Sequence, residues 1–299
     1  MGRYRLRPAW HQRMHIHDVQ DLHLTATTTA PGETVTITRM TPSVNTMIVW
    51  GDGNSEIITA GSVAALNHVY AAAGIYRVVV RRARVIQQVR LDNAKLGGLN
   101  TRELAASPIT YFFVTLITGS AINSVDMVAW RPADWRLYTM PAGTYTINSA
   151  NMVAWTPTYW ELRAMLAGTY TINSVNMVAW TPTYWILRSM PAAGSSYTFA
   201  ASCMRNWAAV IDIRCNDLGL LQATVNAILY DIWMGFAART GVAGNIAVGG
   251  TNQAPSGVFQ AAAACPVTVA TPGKEVAHEL LNDTCAVAAN HWAAVTFTA

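Results

Sequence analysis

Residues 119–193 read GSAINSVDMVAWRPADWRLYTMPA, then GTYTINSANMVAWTPTYWELRAMLA, then GTYTINSVNMVAWTPTYWILRSMPAA. Trp130, Trp155 and Trp180 recur every 25 residues, as do Pro132, Pro157, Pro182 and Leu137, Leu162, Leu187. A fixed period in the twenties marks a solenoid, in which each coil buries its apolar face only against the next. Such stacks present extended surfaces, so the repeat points to structure or binding before it points to catalysis.

The repeat extends in both directions. Pro108, Tyr111, Phe113 and Leu116 stand 24 residues before Pro132, Trp135, Leu137 and Met140, which predicts an earlier, degenerate coil from about Asn93. Within each coil, Trp and Leu two residues apart predict a strand with both side chains inward, at 135–138, 160–163 and 185–188. A second strand is expected at the Tyr-Thr-Ile-Asn stretches beginning at Tyr145 and Tyr170. Equivalent residues of stacked coils lie ~4.8 Å apart, so Asn123, Asn148 and Asn173 are expected to form a ladder of bonded amides. The column Trp130, Trp155, Trp180 reads either as core stacking or as an aromatic strip for carbohydrate.

Outward positions of the first strand give two columns on this alignment. One is Phe112, Arg136, Glu161, Ile186, Asp212, and the other is Val114, Tyr138, Arg163, Arg188, Arg214. Three guanidiniums at ~4.8 Å steps repel by only about 1 kcal/mol per neighbour in water, and Glu161 and Asp212 offset part of that. This face reads either as a solvated surface with local ion pairs or as a contact surface for a carboxylate-bearing partner, which arginine suits by bidentate pairing.

Beyond Gly194 the pattern decays, but Ile211-Asp-Ile-Arg-Cys-Asn-Asp-Leu218 keeps a strand-then-asparagine form. Leu221, Val225, Ile228, Leu229, Ile232 and Phe236 share one helical face and predict a helix over 219–237. A second is expected over 273–288. Together with the turn at Gly249-Gly250-Thr251-Asn252 and a closing strand from Ala294, the stretch 89–299 resembles the short, irregular leucine-rich-repeat proteins of phage and bacterial surfaces. That resemblance implies a solenoid closed by an α/β cap over about 207–299.

Residues 18–88 alternate in the two-residue period of half-buried strands, at Leu22–Ala26, Thr34–Thr38, Met47–Trp50 and Tyr76–Val80. Pro31-Gly32, Asp52-Gly53-Asn54 and Gly74 supply turns between them. Trp50-Gly-Asp-Gly53, His68-Val-Tyr70 and Gly74-Ile-Tyr76 follow in the order of the PKD-type, immunoglobulin-like domain, which this stretch resembles over about 70 residues. The resemblance implies a β-sandwich acting as spacer or protein-contact module. Asp52 is expected to bond backbone amides across its turn, since one aspartate is a poor cage for a calcium ion wanting ~6–8 oxygens. The fold class expected is therefore mainly β with an α/β C-terminal part, in three segments: an arm over 1–17, a PKD-like sandwich over 18–88, and a leucine-rich-repeat-like solenoid over 89–299.

Charged residues make up only 12% of the chain against 52% apolar, which excludes a disordered polyelectrolyte and predicts an unusually neutral exterior. The net charge of +4 rests on scattered arginines, so no nucleic acid is expected. No apolar run reaches ~18 residues, and none follows the basic start MGRYRLRPAWHQRMHIHD, so neither a membrane span nor a secretory signal is predicted. The arm, with Arg3, Tyr4, Arg5, Arg7 and Trp10, reads as a segment docking on a neighbouring subunit. His11, His15 and His17 within it, with Asp18 just after it, are the alternative, a metal cluster. Cys203, Cys215, Cys265 and Cys285 are too few and too spread for a disulfide scaffold or zinc site and are expected as buried thiols.

Catalytic patterns fail on inspection. His278-Glu279 starts like a metalloprotease helix, but Asn282 stands where the second histidine belongs. Neither a Gly-x-Ser-x-Gly elbow nor a phosphate-binding loop is present. The expectation is a non-enzymatic virion surface protein without cofactor (capsid decoration, head-fibre or tail-associated subunit). It would be a homo-oligomer contacting sister subunits, capsid or tail proteins, and cell-surface glycan or protein. A self-assembling extracellular filament or tube subunit and a carbohydrate-binding adhesin are the alternatives.

Overall fold

The computed structural model describes residues 20–191, 194–200, 202–207, 209–235, 244–285 and 292–297. The chain is mainly β, with its strands in several sheets. The first seven strands are β1 (Leu22–Thr28), β2 (Glu33–Ile37), β3 (Arg39–Pro42), β4 (Thr46–Val49), β5 (Ser55–Ile58), β6 (Leu66–Tyr70) and β7 (Gly74–Val80). β8 (Ile86–Leu91) and β9 (Leu96–Gly97) follow. One five-stranded sheet runs β5-β4-β7-β1-β9, and β2 pairs with β6 in a separate ribbon. β1 buries Leu22, Leu24 and Ala26 on alternate positions, as its two-residue pattern predicts, and these share one apolar cluster with Val35 and Ile37 of β2.

The repeats supply two further ladders. β10 (Tyr111–Thr115), β12 (Asp134–Tyr138), β14 (Tyr159–Arg163), β16 (Tyr184–Arg188) and β18 (Asp212–Arg214) stack in parallel. β19 (Asn245–Ala247) and β20 (Ala294–Thr296) continue the sheet at one end, β8 and then β3 at the other. β11 (Ala121–Asn123), β13 (Thr144–Asn148), β15 (Thr169–Asn173) and β17 (Ser196–Thr198) form a second parallel sheet. Position 88/89 falls inside β8, which pairs with β3 on one side and β10 on the other. β9 pairs back onto β1, so the N-terminal strands and the repeats are joined through 86–97.

Between its two strands each repeat breaks direction at a residue in the left-handed region: Leu116, Thr139, Ala164 and Ser189, followed by Asp217. Their spacing shows how the first repeat aligns. Phe112 pairs with Trp135 and Val114 with Leu137, 23 residues apart rather than 24. Phe112 and Val114 are accordingly fully buried, and Leu116 is exposed. A one-residue slip exchanges inner and outer faces of a strand, which corrects the expected alignment of Tyr111, Phe113 and Leu116.

The interior is an aromatic spine. Phe112, Trp135, Trp160 and Trp185 form one column, with Trp135–Trp160 and Trp160–Trp185 stacked at 5.7 and 5.4 Å between centroids. Trp130, Trp155, Trp180 and Trp207 interleave with them, and all eight are at most 1% exposed. The indole N–H groups of Trp130, Trp180 and Trp207 donate to the carbonyls of Leu104, Met152 and Met177.

At the far end α1 (Gln222–Met234) packs on α2 (Gly273–Asn282). Leu221 precedes α1 and is exposed, not part of an apolar helix face; Phe236 lies outside the described residues. α2 ends six residues earlier than expected, at Asn282, because Asp283 takes a left-handed conformation. Cys265 and Cys285 form a disulfide, while Cys203 and Cys215 are buried. The expectation of buried thiols thus fails for Cys265 and Cys285, brought together by the fold across 20 residues.

Candidate functional site

The outer face of the nine-stranded sheet carries the polar side chains that its strands cannot bury. Register fixes three columns across it. Tyr111, Asp134, Tyr159, Tyr184, Asp212 and Asn245 form the first. Arg90, Phe113, Arg136, Glu161, Ile186, Arg214 and Ala247 form the second. Thr115, Tyr138, Arg163 and Arg188 form the third. These differ from the expected columns at both ends. Phe112 and Val114 point inward, Arg214 stands level with Ile186 rather than Arg188, and Asp212 stands level with Tyr184.

Most arginines on this face are matched by a carboxylate two residues away, on the same face of the same strand. Arg136 makes a bidentate pair with Asp134 through Nε and Nη2 at 2.7 and 2.6 Å. Arg163 pairs with Glu161. Arg214 holds Asp212 through Nε at 3.0 Å and Nη2 at 2.8 Å. Arg90 pairs with Asp92 at 2.8 Å just outside the ladder. Burial disfavours the Arg136 charge, yet the hydrogen bonds and charge of Asp134 outweigh it and raise its pKa above the ordinary arginine value. Glu161 and Asp212 are only 4% and 7% exposed, so these pairs are more than solvent-screened surface contacts.

Aromatic rings fill the spaces between the charges. The Arg136 guanidinium lies 3.6 Å from the Tyr159 ring centroid and that of Arg163 4.3 Å from Tyr138. Tyr159 stacks on Tyr184 at 4.9 Å. Burial, then the Glu161 charge, pushes the Tyr159 phenol up to about 12. Asp134, Phe113, Tyr159 and Tyr184 therefore belong to the site although the sequence reading did not single them out. The signal was present as acid-x-Arg, at 134–136, 161–163 and 212–214.

Arg188 breaks the pattern, because Ile186 occupies the place of the acid. Among the described residues it has no carboxylate partner within ion-pair distance. Its pKa is lowered, first by burial and then by the charges of Arg163 and Arg214. Beside it the sheet surface falls away into a cavity of about 400 Å³, lined by Arg188, Arg214, Asn216, Asn245, Ala247 and Phe297 among others. Small residues make the hollow: Ala247 and Ala294 occupy outer-face positions that carry Tyr and Arg earlier in the stack.

Other expected sites have different fates. Trp130, Trp155 and Trp180 are fully buried and present no strip to a glycan. Asn123, Asn148 and Asn173 do not bond to one another. Each caps its own 3₁₀ turn, its side chain accepting the N–H two residues on, at 3.0–3.1 Å. The bonds between neighbouring repeats run instead through Thr101, Ser124, Ser149 and Ser174. Asp52 accepts the Asn54 N–H at 3.0 Å and pairs with His68 at 2.7 Å, a turn contact as expected. Glu279 is fully buried and accepts the N–H groups of Ala262 and Cys285, so it organises the disulfide loop. Among the described residues no group of three His, Cys, Asp or Glu could hold a metal, and no helix is long and apolar enough to cross a membrane. The arm residues Arg3, Tyr4, Arg5, Arg7 and Trp10, with His11, His15, His17 and Asp18, lie outside the described residues.

Comparison with known proteins adds no relative: no family model, curated protein or solved structure matches the chain.

Proposed function

We propose that this chain is a non-enzymatic structural subunit of a virion surface, serving as a capsid decoration, head-fibre or tail-associated protein. In this reading residues 18–88 are a PKD-type, immunoglobulin-like sandwich, and 89–299 a leucine-rich-repeat-like solenoid with an α/β cap. The observation that carries it is the in-register stack, whose parallel strands from β10 to β18 put one continuous face of arginines and tyrosines outward. That face serves as the contact surface for sister subunits, particle proteins or a cell-surface ligand. The Cys265–Cys285 disulfide suits a protein that works outside a reducing cytosol, as a particle released by lysis does.

Immunogold electron microscopy of native particles tests the location, with label expected on the virion exterior. Removing residues 1–17 should leave the fold intact and abolish attachment. A second reading, an extracellular filament or tube subunit, is favoured by the end of the nine-stranded sheet at β20, which is terminal among the described residues. Head-to-tail contacts that do not close generate filaments. Long helical polymers formed by the purified chain alone would replace the first reading with the second.

A further inference from the structure

We propose that the hollow beside Arg188 is a receptor for one carboxylate, supplied by an acidic side chain of a partner polypeptide. The inference rests on reading the outer face as a contact surface, and it names the group that surface takes. Three arginines of this ladder, Arg136, Arg163 and Arg214, each hold an acid two residues earlier in the same strand. Arg188 repeats the position of Arg163, with which it pairs in register, but Ile186 stands where Arg163 has its acid, Glu161. One guanidinium is left over in a crowded, partly dehydrated cluster, and one negative charge restores the balance that the neighbouring strands show.

The shape agrees with the charge. Arg188, Arg214, Asn216 and Asn245 give the cavity its charged and polar lining, with the Asn216 amide donating to Asp217 at 2.6 Å. Ala247, Ala294 and Phe297 supply apolar lining. An acid flanked by apolar residues satisfies both parts: the carboxylate takes the fork of Arg188 while the neighbouring side chains cover the apolar lining. A phosphate dianion would carry more charge than the single unmatched arginine. A uronic sugar, the other monoanion, would leave the apolar lining facing hydroxyl groups.

The test is a fluorescence-anisotropy titration of the full chain with a blocked, labelled Ala-Leu-Glu-Leu-Ala peptide, against the same peptide with Gln for Glu. The Glu peptide should bind at least about tenfold tighter than the Gln peptide. Arg188→Gln should remove that preference. Ile186→Glu should remove it too, by restoring the internal pair that Glu161 makes with Arg163; Glu161, in the same column, shows that a buried carboxylate is accepted there. Arg77→Gln, exposed on β7 of the five-stranded sheet, should bind as the wild type does. Circular dichroism confirms that each variant is folded. Equal binding of the two peptides, full binding by Ile186→Glu, tighter binding of glucuronate than of the Glu peptide, or no binding at millimolar peptide each overturns the proposal. Because the titration uses isolated protein, its failure leaves the virion location standing, and unlabelled virions would leave the carboxylate site standing.

Discussion

The Ser149 hydroxyl accepts the N–H of Asn173 at 2.9 Å and donates to the carbonyl of the same residue at 3.2 Å, joining one repeat to the next. Ser149 is fully buried, so water cannot replace these bonds. Thr101 likewise accepts the Asn123 N–H at 2.9 Å, but its own proton goes to the Asp126 carboxylate at 2.8 Å, with the Asn123 carbonyl at 3.4 Å. Ser149→Ala should therefore cost about 1–3 kcal/mol, the penalty for stranding a buried donor and acceptor. Ser149→Thr, which copies the first repeat, should cost less. Urea denaturation of the two variants measures the difference, and equal losses would mean that packing rather than hydrogen bonding matters there.

Since each repeat meets its neighbours through the same serine bonds and tryptophan stacks, one repeat should be dispensable. Deleting 144–168 joins Gly143 to Thr169, the same Gly-Thr junction that Gly168-Thr169 already makes. Trp135 would then stack on Trp185 as it now does on Trp160. The shortened chain should unfold in one cooperative transition, with a denaturant m-value reduced in proportion to the surface removed. A broad, non-cooperative melt would show that the repeats are not interchangeable.

The repeat was legible because its tryptophans and leucines alternate with polar residues, so the strand faces follow from a period of two. The first repeat was misaligned for the opposite reason. Tyr111-Phe112-Phe113-Val114 is apolar throughout, and no alternation says which residue points in. The serine ladder was missed because Asn and Ser adjoin in every repeat; only the backbone direction decides that Asn caps its own turn while Ser reaches the next. The Cys265–Cys285 pair was hidden by a loop of Ala, Pro and Thr whose path no periodicity reveals. The acid-x-Arg pairs were legible in principle, and so was the place where Ile186 interrupts them.

The disulfide should matter chiefly to the segment around α2. It closes a loop across 20 residues, and constraining such a loop in the unfolded chain is worth about 3 kcal/mol. A Cys265→Ser, Cys285→Ser double variant should melt at lower temperature than the oxidised protein, and reductant should shift only the wild type. Hydrogen exchange should quicken first around 257–285, while Trp135 and Trp160 amides stay protected. Uniform quickening across the stack would show that the helical segment and the repeats unfold as one unit.

Stability should also fall in alkali, through tyrosines held neutral by burial. The Tyr145 and Tyr159 phenols are pushed up to about 12, Tyr145 by burial alone and Tyr159 by burial and then Glu161. Burial raises Tyr70 and Tyr170 as well. In the unfolded chain a tyrosine ionises near ~10. Between these values the unfolded state has lost protons that the folded state keeps, so stability is complete below about pH 10 and declines as the pH rises toward 12. Each such phenol adds a slope of about 1.4 kcal/mol per pH unit within that window. Urea midpoints at pH ~8 and ~11 should differ by several such contributions, and Tyr145→Phe should narrow the difference by one. Ultraviolet titration of phenolate in the folded protein is the direct check: if all the tyrosines ionise near ~10, burial is not holding them neutral and the alkaline loss has another source.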